Sequence, residues 1–120
     1  MNKKKTLVKL LLFLGAFVAT TSCTPTSTLY NWGDYGQVSY NYSKDPSEKN
    51  EEKLSKSFTN MISRPGGSRK VVPPGLLAEQ AYLLVRQGKK DAAVEMLQDE
   101  IKQYPESKLF VEKIIKQVQQ

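Results

Sequence analysis

The chain has 120 residues with 18 basic and 12 acidic side chains, one cysteine and no histidine. The lack of histidine excludes Ser-His-Asp and Cys-His catalysis and histidine metal sites, and a single cysteine excludes an intramolecular disulfide. The acidic residues lie mainly on polar faces, and Pro65-Gly66-Gly67-Ser68 lacks the spacing of a phosphate loop. We therefore expect no enzymatic activity, no metal and no bound cofactor.

Residues 1–22 have the three parts of a bacterial secretion signal. Four lysines form a basic start, an apolar run covers 10–19, and small residues precede Cys23. Cleavage before Cys23 would leave 98 residues and remove four lysines and no acidic residue, which lowers the formal charge from +6 to +2. The apparent basicity therefore belongs to the signal peptide, and we expect no nucleic-acid partner.

The segment Ala19-Thr20-Thr21-Ser22-Cys23 resembles a bacterial lipobox, with Thr20 where that motif usually has leucine. The resemblance implies that Cys23 carries a covalent diacylglycerol and an N-acyl chain such as palmitate. The alternative is a secreted protein with a free thiol. Thr24, not aspartate, follows the cysteine, and no acidic run comes after it. We expect a lipid anchor in the outer membrane on the periplasmic face, with 23–29 as the lipidated tether.

A single small all-α domain is predicted over 30–120, centred on a helical hairpin at about 73–107. Apolar residues recur at helical spacing on both sides of Gly88, which suits a helix C-terminus. Asp91 is predicted to cap the second helix and Pro105 to end it.

The hairpin resembles a tetratricopeptide repeat. Ala81, Gly88, Ala93 and Leu97 match the small, turn and bulky positions of that repeat, whereas Glu100 stands where it has another small residue. An ordinary αα-hairpin is the alternative. On the repeat analogy, the inner face of the first helix, with Ala78, Tyr82 and Arg86, would contact a partner.

Segment 30–42 contains four of the six tyrosines and the only tryptophan. Asp34 and Gln37 have the spacing of a capping box, which predicts a short helix, while the alternation of Val38, Tyr40 and Tyr42 allows a strand. The aromatic residues are expected to pack on the hairpin. As an alternative they could bind a ligand, through Tyr30, Trp32 and Tyr35.

Three further segments complete the domain. Asp45 and Pro46 predict the start of a helix whose apolar face contains Leu54, Phe58, Met61 and Ile62. Residues 64–74 contain three prolines and two glycines and predict a loop, which is a candidate contact site. Ser107 is predicted to cap a final amphipathic helix that closes the hairpin, with an apolar face of Phe110, Val111, Ile114, Ile115 and Val118.

Three motifs together resemble a family of small bacterial lipoproteins known only as a domain of unknown function. They are Tyr30-x-Trp32-Gly33-x-Tyr35, Val72-Pro73-Pro74-Gly75 and Tyr104-Pro105-Glu106-Ser107. The resemblance implies a tetratricopeptide-like helical lipoprotein associated with a curli-secretion-channel (CsgG-like) lipoprotein. It implies an accessory or adapter role in an envelope lipoprotein complex. The competing hypothesis is a periplasmic lipoprotein that binds glycan or peptidoglycan through the aromatic segment.

Overall fold

The computed structural model describes residues 2–9 and 27–120. Most of the predicted signal peptide, the lipobox and Cys23 lie outside the described residues. Residues 2–9 are helical, and the domain contains helices α1 (Tyr35–Lys44), α2 (Glu48–Ser63), α3 (Leu76–Arg86), α4 (Lys90–Gln103) and α5 (Lys108–Gln119), with a short 3-10 turn at Pro105–Ser107. All regular structure in the described ranges is helical, which confirms the all-α prediction. The tetratricopeptide-like geometry stays a prediction.

Helix α1 settles the ambiguity of the aromatic segment in favour of a helix, so the strand interpretation is wrong. Asp34 occupies the N-cap position, but its side chain makes no capping hydrogen bond. The carboxylate instead accepts a hydrogen bond from Ser57 Oγ on α2. The capping-box prediction therefore fails because a tertiary partner takes the Asp34 side chain.

Helix α2 begins later than the sequence predicted. Its N-cap is Ser47, and Asp45, where the helix was predicted to start, instead accepts hydrogen bonds from Ser47 Oγ and Asn50 Nδ2. This local turn satisfies the Asp45 side chain before the helix starts. The predicted inward face is confirmed farther along, where Leu54, Phe58 and Met61 are buried.

The turn between α3 and α4 is a Schellman motif. Gly88 has a φ of 77°, its N–H donates to the Val85 carbonyl, and the Lys89 N–H donates to the Leu84 carbonyl. This pattern confirms Gly88 as the helix stop. Asp91 was wrongly predicted as the next cap, because α4 already begins at Lys90 and Asp91 lies in its first turn.

The core has two parts, which meet on α3. One joins α2, the loop residue Val72 and α3, and the other joins α3, α4 and α5. Val111 and Val118 of α5 are buried in the second part, so this helix covers the hairpin as predicted. Two details of α5 differ. Phe110 is 68% exposed, and the Ser107 hydroxyl donates back to the Tyr104 carbonyl and makes no cap bond.

None of the helices within 2–9 and 27–120 combines the length and apolar character needed to cross a membrane.

Candidate functional site

An open groove lies between α1 and α3 and has a volume of about 510 Å³. The buried side chains of Leu54 and Phe58 reach its base, Tyr82 projects from α3, and Phe110 projects from α5. Tyr82 is 60% exposed and Phe110 is 68% exposed. We call this surface the aromatic groove; its lining residues are Tyr35, Ser39, Tyr42, Ser43, Leu54, Phe58, Gly75, Ala78, Glu79, Tyr82, Leu83 and Phe110.

A second groove of about 400 Å³ runs between α3 and α5. Ala78 and Tyr82 line it as well, together with Val85, Ile114 and Val118. Tyr82 therefore stands on the ridge between two neighbouring apolar depressions. Two of the three residues predicted to contact a partner, Ala78 and Tyr82, thus border both grooves.

Arg86, the third predicted contact residue, is engaged within the fold. Its guanidinium donates a hydrogen bond to the Tyr42 hydroxyl and lies 5.7 Å from the centre of that ring. A second guanidinium nitrogen lies 3.5 Å from Glu51 Oε2. Burial raises the pKa of the Tyr42 hydroxyl, an effect that the positive charge of Arg86 opposes. Arg86 joins α1, α2 and α3, and the structure does not place it in either groove.

The three aromatic residues of the alternative ligand site have different environments. Tyr35 is stacked on Phe58 with ring centroids 6.0 Å apart, and its hydroxyl donates to the Glu79 carboxylate at 2.9 Å. Burial, followed by this hydrogen bond and the Glu79 charge, raises the pKa of Tyr35. The ring centroids of Trp32 and Tyr35 are 5.2 Å apart, and Trp32 remains 40% exposed. Trp32 is therefore the residue of this set whose ring is accessible to a ligand.

Tyr30 belongs to a different contact, with the loop at 64–74. Its hydroxyl accepts a hydrogen bond from Arg69 Nη1 at 3.0 Å, and the guanidinium lies 5.7 Å from the ring centre. The backbone N–H groups of Ser68 and Arg69 donate to the carbonyls of Thr28 and Leu29 at 3.0 and 3.1 Å. The loop proposed as a contact site therefore binds the N-terminal end of its own domain.

Two adjacent glycines make this pairing possible. A Cβ on Gly67 would lie 2.5 Å from the Leu29 carbonyl oxygen, and one on Gly66 would lie 2.8 Å from Asn31 Cβ. Gly67 also has a φ of 77°, a conformation that other residues adopt at a cost. At Gly33 and Gly36, in contrast, an added Cβ would meet no atom closer than 3.9 Å, so the close backbone approach occurs at Gly66 and Gly67.

The other end of the same loop is held by α4. Glu100 is 2% exposed, and its Oε1 accepts a hydrogen bond from the Gly75 N–H at 2.7 Å. The Tyr104 hydroxyl donates to the Val72 carbonyl at 2.5 Å. Burial of this hydroxyl, and next its closeness to Tyr30, raises the pKa of Tyr104 to about 12. Residues late in the hairpin therefore fix the loop that precedes it.

Sequence reasoning missed the roles of Glu100, Tyr104 and Phe110. For Glu100 a signal existed, because a carboxylate at a position that usually holds a small residue needs a polar partner when buried. Phe110 had no comparable signal, since its helical spacing is that of a core residue. Cys23 lies outside the described residues, and within those residues no group of three histidine, cysteine or acidic side chains is placed to hold a metal ion.

These contacts define a small helical domain with an open aromatic groove on one side and a loop paired with its N-terminal segment at one end. The family model described as "Domain of unknown function (DUF4810)" matches residues 29–114, which is 86 of the 120 residues. The chain belongs to this family. The three motifs of the sequence analysis lie within the matched range, and the prediction of a small family of unknown function is confirmed. No curated protein and no solved structure matches the chain.

Proposed function

We propose that this protein is a non-enzymatic outer-membrane lipoprotein, anchored through Cys23, that serves as an accessory or adapter subunit of an envelope lipoprotein complex. Its proposed partner is a CsgG-like secretion-channel lipoprotein. The proposed contact surface is the aromatic groove, with Tyr82 and Phe110 as the anchoring side chains. The single observation that carries the proposal is the exposure of these two aromatic residues beside an apolar depression.

The physical argument concerns the cost of leaving such side chains in water. Tyr82 and Phe110 are 60% and 68% exposed although the domain has apolar surface beside each of them. Aromatic side chains that fill a pocket dominate the energy of many protein interfaces, and truncating such a residue commonly costs about 2 kcal/mol or more of binding energy. Ala78 lines the same groove, and its small side chain leaves room for a group from a partner.

The region next to the groove adds polar groups that could orient a partner. The Glu79 carboxylate and the Tyr35 hydroxyl lie on its wall and are hydrogen-bonded to each other. An apolar depression with a few fixed polar groups is the usual composition of a binding site. Arg86 is not included in the proposed surface, since its side chain already holds α1 and α2 together.

The glycan-binding hypothesis rests on fewer side chains than the sequence suggested. Tyr35 presents its ring to Phe58, and Tyr30 contacts Arg69. Trp32 retains an exposed face, so among the three predicted residues the binding of a sugar would depend mainly on that ring. We therefore favour the adapter, and the same experiment tests both.

The experiment is affinity isolation of the lipidated protein from crosslinked, detergent-solubilised envelopes. Tyr82→Ala and Phe110→Ala are compared with Tyr40→Ala, a control aromatic residue that is 57% exposed and does not line the aromatic groove. We expect a stoichiometric CsgG-like lipoprotein with the native protein and the control, and at least a tenfold loss with either groove variant. Circular dichroism is the control that checks whether all three variants fold.

Two results would contradict the proposal. Equal recovery of the partner by the groove variants and the Tyr40→Ala control would exclude the aromatic groove as the contact surface. Recovery of peptidoglycan fragments without a partner protein, lost in Trp32→Ala, would replace the adapter with the glycan-binding lipoprotein. A Cys23→Ser variant tests the anchor separately, because it should lose the membrane fraction whatever the partner is.

A further inference from the structure

The surface formed by residues 28–32 and 64–71, which we call the tether-side surface, combines exposed apolar side chains with positive charge. Leu29 is 61% exposed, Trp32 40% and Val71 37%. Arg64, Arg69 and Lys70 are also exposed. The two segments lie side by side through the hydrogen bonds from Ser68 and Arg69 to Thr28 and Leu29.

No acidic residue occurs in 27–33 or in 64–72, so the three cations of this surface have no carboxylate from either segment to offset them. Membrane proteins are enriched in tryptophan and tyrosine at the interface between membrane and water, and arginine and lysine are common beside them. Basic side chains near an anionic bilayer each contribute to binding, and the attraction falls off within about 8 Å at physiological ionic strength.

The position of this surface in the chain fits that composition. Only four residues lie between Cys23 and Thr28, and covalent geometry limits the five steps from one to the other to about 18 Å when fully extended. A lipid on Cys23 would therefore hold the tether-side surface within a short distance of the headgroups. Helix α3 begins at the loop at 64–75 and ends beside the N-terminal part of α2, where Arg86 contacts Glu51. The turn that follows α3, at Lys89 and Lys90, would therefore face away from the bilayer.

We propose that the tether-side surface docks directly on an anionic phospholipid bilayer, so that the domain has one fixed orientation on the membrane. This inference rests on the proposed lipid anchor at Cys23. Trp32 and Leu29 would enter the headgroup region, and Arg64, Arg69 and Lys70 would contact lipid phosphates. Docking in this orientation would leave Arg86 and Glu51, at the far end of the domain, away from the bilayer.

The test uses Trp32, the only tryptophan of the chain, as its own reporter. The lipidated protein is reconstituted into vesicles that contain phosphatidylglycerol and a lipid with a quencher at the top of its acyl chain. Flotation of the vesicles measures anchoring, and quenching of Trp32 emission measures docking. We expect flotation together with quenching, and quenching that weakens as salt is added.

Charge is tested with matched pairs of substitutions. Arg64→Gln with Lys70→Gln removes two charges from the tether-side surface, and Lys89→Gln with Lys90→Gln removes two from the far end. We expect the ratio of docked to undocked protein to fall about 25-fold for the first pair, about fivefold for each charge, and to stay unchanged for the second. Arg69 is left in place because its side chain is bonded to Tyr30.

The outcomes separate this proposal from the proposed function. Failure to float would overturn the lipid anchor and this proposal with it. Flotation with unquenched Trp32, or with equal effects of the two pairs, would overturn the docked orientation alone. Trp32 that is unquenched on vesicles but becomes protected in the crosslinked envelope complex would place a protein on this surface, and would likewise exclude the bilayer.

Discussion

Glu100 gives the sharpest test of how this hairpin is stabilised. The tetratricopeptide pattern has a small residue at this position, so that pattern predicts that Glu100→Ala is neutral or stabilising. The structure predicts the opposite, because the buried carboxylate holds the Gly75 N–H at the N-cap of α3. The two expectations differ in sign.

The size of the effect follows from the contacts. A hydrogen bond to a charged group contributes about 1.5–3 kcal/mol, and a negative charge at a helix N-terminus contributes about 0.3–1 kcal/mol. The second oxygen, Oε2, is buried without a hydrogen-bond partner among the described residues. Burying an unpaired polar atom costs free energy, and the alanine substitution recovers part of that cost. We expect Glu100→Ala to lower the free energy of unfolding by about 2 kcal/mol, since the gain from Oε2 offsets only part of the loss.

The assay is denaturant unfolding followed by circular dichroism, with Glu100→Gln as the control. The glutamine keeps the length and an acceptor oxygen but loses the charge, so it should cost about 1 kcal/mol, nearer the value of a neutral hydrogen bond. Thermal unfolding should show a decrease of about 4–8 °C per kcal/mol for a domain of this size. An alanine variant as stable as the native protein would refute this reasoning and favour the repeat pattern.

Three further predictions concern stability. Burial raises the pKa of Tyr104 from its ordinary value of 10.0 to about 12, so the stability gained from its neutral hydroxyl is complete below pH 10 and is lost as the pH rises through 12. The free energy of unfolding should fall by about 1.4 kcal/mol per pH unit in that window, and less steeply in Tyr104→Phe. Gly67→Ala should cost more than Gly88→Ala in denaturant unfolding, because both have a φ of 77° but only the Gly67 Cβ meets backbone atoms; equal costs would contradict the clash. Arg86→Gln should lower stability by about 1 kcal/mol, and thermal unfolding that is unchanged would show that its contacts with Tyr42 contribute nothing.

Features that depend on neighbouring residues in the chain were predictable. Gly88 ends α3 because a positive φ is required there and glycine adopts it without steric cost. The spacing of Leu54, Phe58 and Met61 identified the buried face of α2 for a similar reason, since helical periodicity is a local property.

Features that depend on distant partners were not predictable. Asp34 had the pattern of a cap, but Ser57, 23 residues later, takes its carboxylate. Phe110 has the spacing of a core residue, but Val111 and Val118 fill the core on the side of α5 that meets the hairpin, and Phe110 remains exposed at the edge of the groove. Local patterns give the direction of a side chain along its own helix, whereas the partner depends on how the helices assemble.

The candidate site shows the same division. Ala78 and Tyr82 were predicted, on the repeat analogy, to share one contact face of the first hairpin helix, and both border the aromatic groove. Arg86 continues that spacing, yet Tyr42 and Glu51 draw its side chain to the other helices. A pattern on one helix could not indicate that a tyrosine 44 residues earlier would bind it.

The closure of the loop by Glu100 and Tyr104 has a consequence for the order of folding. In a chain that is exported N-terminus first, Thr28 and Leu29 emerge well before Ser68 and Arg69, which hold them. That loop in turn acquires its contacts at Val72 and Gly75 only after Glu100 and Tyr104 have crossed. On the proposed export, the segment at 28–29 would therefore stay without its long-range partners until most of the chain has crossed, and its contacts would be completed by residues near the opposite end of the chain.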